Sequence, residues 1–196
     1  MPSVLIIDDD ADARGYLEDV FRLEGFEVTS LSDPAVVIGR IRDELFHILV
    51  VDLMMPKIDG IGLLAQIRGF DEDIPVIMVT GYPSVETISA SITLGVSAYL
   101  AHPIAPSELR GAIAHIVKKP SFALRREQEI HADIGRQIAD AREARGVTLN
   151  RMARLTNLSI SLLSQIERGE VSASISALLK IASALDLCLT TLLGGH

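Results

Sequence analysis

The 196-residue chain has one cysteine, Cys188. A lone thiol cannot close an intramolecular disulfide, which excludes a stapled secreted scaffold and fits a reducing cytoplasm. No apolar run approaches the roughly 18 residues needed to cross a bilayer, and the N-terminus shows no apolar segment of the signal-peptide kind. A cytoplasmic protein without membrane contact is therefore expected. Positive charge is scarce at first: residues 1–117 hold 7 Lys+Arg against 18 Asp+Glu, or −11. Residues 118–196 hold 11 against 8, or +3. An acidic part joined to a mildly basic part predicts two domains with different partners. A hydrophobic content of 48% is ample for packed cores and argues against disorder.

Strand and helix signals alternate through residues 3–118. The short apolar runs "VLII" (4–7), "ILVV" (48–51), "PVIMV" (75–79) and "AYL" (98–100) read as strands, with "FEVTS" (26–30) a weaker fifth. Amphipathic stretches lie near 11–24, 34–44, 60–69, 84–94 and 105–118. Five strand–helix repeats with near-continuous apolar strands predict an α/β fold, a five-stranded, doubly wound parallel sheet with helices on both faces. In such sheets the functional crevice lies at the carboxyl ends of the strands.

Acid, hydroxyl and base fall at those ends. The first strand runs into Asp8-Asp9-Asp10, the third into Asp52, the fourth into Thr80-Gly81 and the fifth into His102-Pro103. One carboxylate after a strand can be a helix cap, and Asp10 or Asp12 suits that role. Asp8, Asp9 and Asp52 converging on one crevice is another matter. At an effective dielectric of 20, each like-charged pair at 4 Å costs roughly 4 kcal/mol. A cation or protons must compensate, and an all-oxygen donor set with room for water suits a hard divalent ion, Mg²⁺ above all. Coincident caps are the alternative.

The segments "LIIDDD", "ILVVDLMMPKIDG", "VIMVTG" and "AYLAHP" occur in order. Together they resemble the receiver domain of bacterial two-component response regulators over residues 3–118. The resemblance implies a flavodoxin-like receiver with Asp52 as phosphoacceptor and a sensor histidine kinase as partner. It implies that Asp8 and Asp9 hold Mg²⁺ with Asp52 and the main-chain carbonyl of Met54. Thr80 would donate its hydroxyl to the phosphoryl group, and Tyr99 would be the aromatic switch on the fifth strand. Pro56 and Gly60 match the family's tight loop after the acceptor. The chemistry is coherent by itself: a carboxylate can attack phosphorus, and the product adds about −1.5 to −2 charges at one point. Such a charge can draw in Thr80 and the residue at 102 and repack the surface of the fourth helix, fifth strand and fifth helix.

The family normally places lysine where this chain has His102. Lysine is charged at any physiological pH, whereas a free imidazole, with pKa about 6.5, is only about a quarter protonated at pH 7. Its reach is also shorter. His102 would pair with a phosphoryl group more weakly and with some pH dependence. Filling space before Pro103 is the other reading.

Past "KKPSFALRREQE" (118–129) the strand signals stop. Pro120 suits no helix interior and Lys118-Lys119 suits a helix end, so residues 120–130 are expected as a linker between a receiver over 1–119 and a smaller all-α domain over 131–196. Helical stretches are expected near 123–145, 148–155, 159–168, 174–185 and 189–193. Leu124, Ile134, Ile138 and Ala141 place an apolar stripe on the first, which Glu127 and His131 interrupt.

In "GVTLNRMARLTNLSISLLSQIERGE" (146–170), Thr148 caps one helix, Asn157 tolerates a left-handed turn and Ser159 caps the next. Met152 and Ala153 face inward from the first helix, Leu162 and Ile166 from the second. This is helix-turn-helix spacing. With "SQIERG" and "LLKIASALDL" it resembles the Cro/phage-repressor (XRE-type) DNA-binding domain over residues 131–193; a helical interaction module is the alternative. The family's docking mode would place helix 159–168 in the major groove of double-stranded DNA. Ser159, Ile160, Ser161 and Gln165 would then face the bases, with Gln165 able to read adenine and Ile160 to touch a thymine methyl. Arg151, Arg154 and Arg168 are candidates for phosphate contact, with plain solvation equally open. Arg142 and Glu167 match a buried ion pair of the family. Leu149 and Ala173 depart from residues common there, a glutamine and a proline.

A C-terminal half at only +3 offers few phosphate contacts, so a monomer should bind weakly and a homodimer on a two-fold symmetric operator far better. The expectation is a transcription factor of a two-component phosphorelay, phosphorylated on Asp52 to control dimerisation or DNA binding. The alternative is a degenerate receiver switched by protein contact or by pH through His102. A phosphatase of the haloacid dehalogenase type would need a second acid two residues after the nucleophile. Met54 stands there, so no enzyme is expected.

Overall fold

The computed structural model describes residues 1–55 and 58–193. The chain divides into two compact units at Arg126 and Glu127. In the first, strands β1 (Ser3–Ile7), β2 (Glu27–Leu31), β3 (Ile48–Asp52), β4 (Val76–Thr80) and β5 (Ala98–Ala101) form a five-stranded sheet in the order β2-β1-β3-β4-β5. Every pairing is parallel. The crossovers carry α1 (Ala11–Leu23), a 3₁₀ turn (Pro34–Val36) leading into α2 (Val37–Asp43), α3 (Gly60–Arg68), α4 (Val85–Thr93) and, after β5, α5 (Pro106–Val117).

The central strands are buried on both faces, which is why they read as unbroken apolar runs. On β1, Val4 and Ile6 pack with Leu17 and Phe21 of α1 and Leu109 and Ile113 of α5. Leu5 and Ile7 point the other way, into Val37 of α2 and Leu63 and Leu64 of α3. The strand order reverses direction between β1 and β3, where Ile7 pairs with Val51. That reversal opens a crevice at the carboxyl ends of these two strands, where Asp8 and Asp52 stand.

Helix α4 departs from the amphipathic expectation. Val85 and Ile92 are 79% and 73% exposed and Ile88 is also exposed, while Ser91 is the buried residue. Its apolar stripe faces outward.

The expected linker 120–130 is helical. Helix α6 runs from Pro120 to Ala144. Proline at the start of a helix loses nothing, because the first amides have no acceptor within the helix. Phe122 and Arg125 anchor this turn. Phe122 is buried against Phe26 and His47. Arg125 is buried too, donates to the Phe46 carbonyl at 3.1 Å and pairs with Asp71. Leu124, placed on the apolar stripe by spacing alone, is 58% exposed because Phe122 and Arg125 take the buried positions of this turn.

The second unit comprises the rest of α6 with α7 (Leu149–Thr156), α8 (Ile160–Glu167), α9 (Ile175–Ala184) and α10 (Leu189–Leu192). Ile138, Met152, Leu163, Ile166, Leu178, Ile181 and Leu192 form its core. Thr148 and Ser159 cap α7 and α8, and Asn157 between them has φ 55°, so the turn is left-handed there. Two glycines let α6 and the end of α8 meet backbone to backbone. A Cβ on Gly135 would overlap the Ile166 and Glu167 carbonyl oxygens, and one on Gly169 would overlap the Ala132 backbone.

Candidate functional site

The β1–α1 turn builds the acidic end of the crevice. Asp10 leaves the pocket to cap α1, accepting from the Asp12 and Ala13 amides at 2.8 and 3.0 Å. That turns Asp8 inward, 2% exposed, where its carboxylate accepts the Asp10 amide at 2.8 Å. Asp9 is exposed and Asp52 is buried at the end of β3. One carboxylate oxygen from each of Asp8, Asp9 and Asp52 lies within 4.8 Å of the others. No histidine joins them among the described residues.

Burial pushes the Asp8 carboxyl up to about 6; the charges of Asp52 and Asp9 add to this, while the Asp10 amide and His102 oppose it. Burial also holds Asp52 above the ordinary carboxylate range, with Asp9 adding and the Met54 and Leu53 amides opposing. Burial and the neighbouring carboxylates thus both disfavour ionisation of Asp8 and Asp52, a cost that a cation held between them would offset. The donor set, three carboxylates and no sulfur or imidazole, fits a hard divalent cation.

The other strand-end residues surround this cluster. Thr80 is fully buried, and its hydroxyl accepts the Tyr82 amide at 3.1 Å. His102 is half-buried and donates its backbone N–H to the Thr80 carbonyl at 2.8 Å, and its ring lies close enough to Asp8, Asp10 and Asp52 to favour their ionised forms. Tyr99 on β5 is half-buried and shares a 3.0 Å hydrogen bond with the Thr87 hydroxyl on α4. The Met54 side chain is exposed. Gly60 closes the loop after Asp52: its amide donates to the Leu53 carbonyl at 3.0 Å, and a Cβ there would overlap the Asp52 carbonyl oxygen. Pro56 lies outside the described residues.

Two residues of this site escaped the sequence reading. Arg14 donates to the Asp8 carbonyl at 2.7 Å, bringing a cation to the acidic turn. A lone arginine one turn into the helix after three consecutive acids was the available signal. Thr87, the partner of Tyr99, left none, since its role depends on how α4 lies against β5.

In the second unit Ser159, Ile160 and Ser161 are exposed at the start of α8, and Gln165 is half-buried. Arg151 and Arg154 are exposed on α7. Arg142 pairs with Glu167 through two hydrogen bonds of 2.6 and 2.8 Å, both side chains largely buried, and also donates to the Val147 carbonyl at 3.0 Å. That geometry makes them a structural pair. Arg168 is engaged within the protein: it donates to both oxygens of Glu170, at 2.6 and 2.9 Å, and to the Ser164 hydroxyl.

Comparison with known proteins agrees with both units. A family model described as the response regulator receiver domain matches residues 4–114, and one described as a helix-turn-helix domain matches residues 133–191. The probable transcriptional regulator ycf27 of Porphyridium aerugineum is 30% identical over 163 residues, 82% of this chain and 68% of that protein. The transcriptional regulatory protein PrrA of Mycobacterium leprae is 31% identical over 118 residues, 60% of this chain and 51% of that protein. The crystal structure of a CheY-like receiver domain protein from Methanospirillum hungatei superposes with a TM-score of 0.57 at 26% identity, covering 65% of this chain and 98% of its own. No helix among the described residues is long and apolar enough to cross a membrane. A parallel sheet with acids at its switch point, joined to a helix-turn-helix unit, places this chain in the response regulator receiver family, as a DNA-binding response regulator.

Proposed function

We propose that Asp52 is the phosphoacceptor of a two-component phosphorelay and that its phosphorylation controls DNA binding by an XRE-type helix-turn-helix domain. The observation that carries this reading is the Asp8, Asp9 and Asp52 cluster at the strand ends, with Thr80 and His102 beside it. A carboxylate oxygen of Asp52 attacks phosphorus as the donor's P–N or P–O bond breaks, leaving an acyl phosphate on Asp52 and releasing the kinase's imidazole or, from a small acyl phosphate, its free carboxylate. Asp8, Asp9 and Asp52, with the Met54 carbonyl, would hold Mg²⁺, which when bound offsets charge on the transferring group.

The chain's own groups then respond to the added charge. Thr80 rotates its hydroxyl from the Tyr82 amide to donate to a phosphoryl oxygen. The inward move loosens the packing beside Tyr99, whose bond to Thr87 ties β5 to α4. The outward apolar stripe of Val85, Ile88 and Ile92 on α4 supports this surface as the one that changes partners, including a second copy of the chain. A dimer brings two α8 helices to a two-fold site and doubles the phosphate contacts available to a C-terminal half, residues 118–196, that carries only +3.

A second reading keeps DNA binding and makes the receiver independent of phosphorylation; His102 in place of a permanent cation is its support. Selection of bound genomic fragments with wild type and Asp52→Ala, in the presence of a small acyl phosphate and Mg²⁺, separates them. The proposal predicts a set of fragments that the variant loses. Equal occupancy by both proteins would favour the second reading.

A further inference from the structure

We propose that Glu170 competes with DNA phosphate for Arg168 and thereby weakens the electrostatic, sequence-independent part of the domain's DNA binding. The inference rests on the reading that this domain binds DNA.

The geometry is built rather than incidental. Arg168 is the C-cap residue of α8, and Gly169, at φ 70°, turns the chain back immediately after it. That turn is pinned on both sides. The close approach of Gly169 to the Ala132 backbone leaves no room for a Cβ, and the Glu170 amide donates to the Gln165 carbonyl at 2.9 Å. The Glu170 carboxylate is thereby set against the guanidinium, accepting from its Nε at 2.6 Å and from one terminal nitrogen at 2.9 Å. The other terminal nitrogen donates to Ser164. All three nitrogens are engaged.

A phosphate would use the same fork of donors. Both side chains are about half exposed, 55% for Arg168 and 50% for Glu170, so the pair sits in water and exchanges readily. It lies at the end of the helix whose start presents Ser159, Ile160 and Ser161, where a duplex backbone would pass. A phosphate must displace Glu170 and then tolerate its charge nearby. The same cost falls on any duplex, and it weighs most where phosphate contacts are nearly the whole of the binding.

The test compares the full chain with its Glu170→Gln, Arg168→Gln and doubly substituted forms. Each is titrated onto a random-sequence duplex and onto a selected fragment over a range of salt. Glu170→Gln is expected to tighten random-duplex binding roughly three- to tenfold at low salt and to steepen the log–log salt slope by about 0.9, one phosphate contact. The selected fragment should gain by a similar factor, because the same phosphate contact is released in both complexes. With Arg168→Gln already present, Glu170→Gln should lose at least half of its effect. An unchanged slope in Glu170→Gln overturns the inference, as does an equal gain in both backgrounds, which would make Glu170 a plain surface charge. Wild type that shows no salt-sensitive DNA binding overturns the functional reading, and this inference with it.

Discussion

Asp52→Asn protein should take up at least about a hundredfold less phosphoryl group than wild type from acetyl phosphate and Mg²⁺, because an amide offers no anionic oxygen to attack phosphorus. Asp8 and Asp9 are poor substitutes although they lie within 4.8 Å of Asp52. Asp8 is buried with its carboxylate held by the Asp10 amide, and its pKa is pushed up to about 6. Asp9 is exposed, whereas Asp52 is buried at the end of β3. Intact mass against time reads the result directly. Labelling of the variant at the wild-type rate would remove Asp52 from its assigned role.

Asp8→Asn should stabilise the protein without metal while weakening Mg²⁺ binding by roughly a hundredfold. The sign follows from linkage. An acid whose folded pKa is raised contributes stability when protonated, fully present below the unfolded value and lost as pH rises through about 6. At pH 7.5 the wild-type protein therefore bears an ionised Asp8 that burial disfavours, at a cost on the order of 1–3 kcal/mol. Asparagine removes that charge and can still accept the Asp10 amide. It also removes one anionic donor from the cation site. The same proton competes with metal in the wild type, so its Mg²⁺ dissociation constant should rise about tenfold per pH unit below 6 and level off above pH 7. Thermal unfolding with and without Mg²⁺ at pH 5.5 and 7.5 measures both effects. A variant less stable than wild type at pH 7.5 without metal would contradict the electrostatic account of the pocket.

What could be read from the sequence was whatever depends on local chemistry. Asp10, Thr148 and Ser159 cap helices because a short side-chain oxygen beside the first amides suffices. The four strand-end motifs placed Asp8, Asp52, Thr80 and His102 together because a parallel sheet aligns its carboxyl ends. Choices made at long range stayed hidden. Residues 120–130 looked like a linker because nothing local shows that Phe122 and Arg125 find Phe26, Phe46 and Asp71. The stripe on α4 has helical periodicity, but periodicity does not say which face meets the sheet. Arg168 read as a cation beside a carboxylate two residues on; that the turn at Gly169 delivers Glu170 to its guanidinium was not legible locally.

The central claim is that charge gained in the Asp52 pocket changes how the chain binds DNA. The most direct measurement is affinity for a selected fragment, at fixed salt, with and without Mg²⁺ and beryllofluoride, a mimic that needs no kinase. The account predicts a change of about tenfold or more, as expected when pairing doubles the phosphate contacts, and its absence in Asp52→Asn. Equal affinity in all four conditions would contradict it.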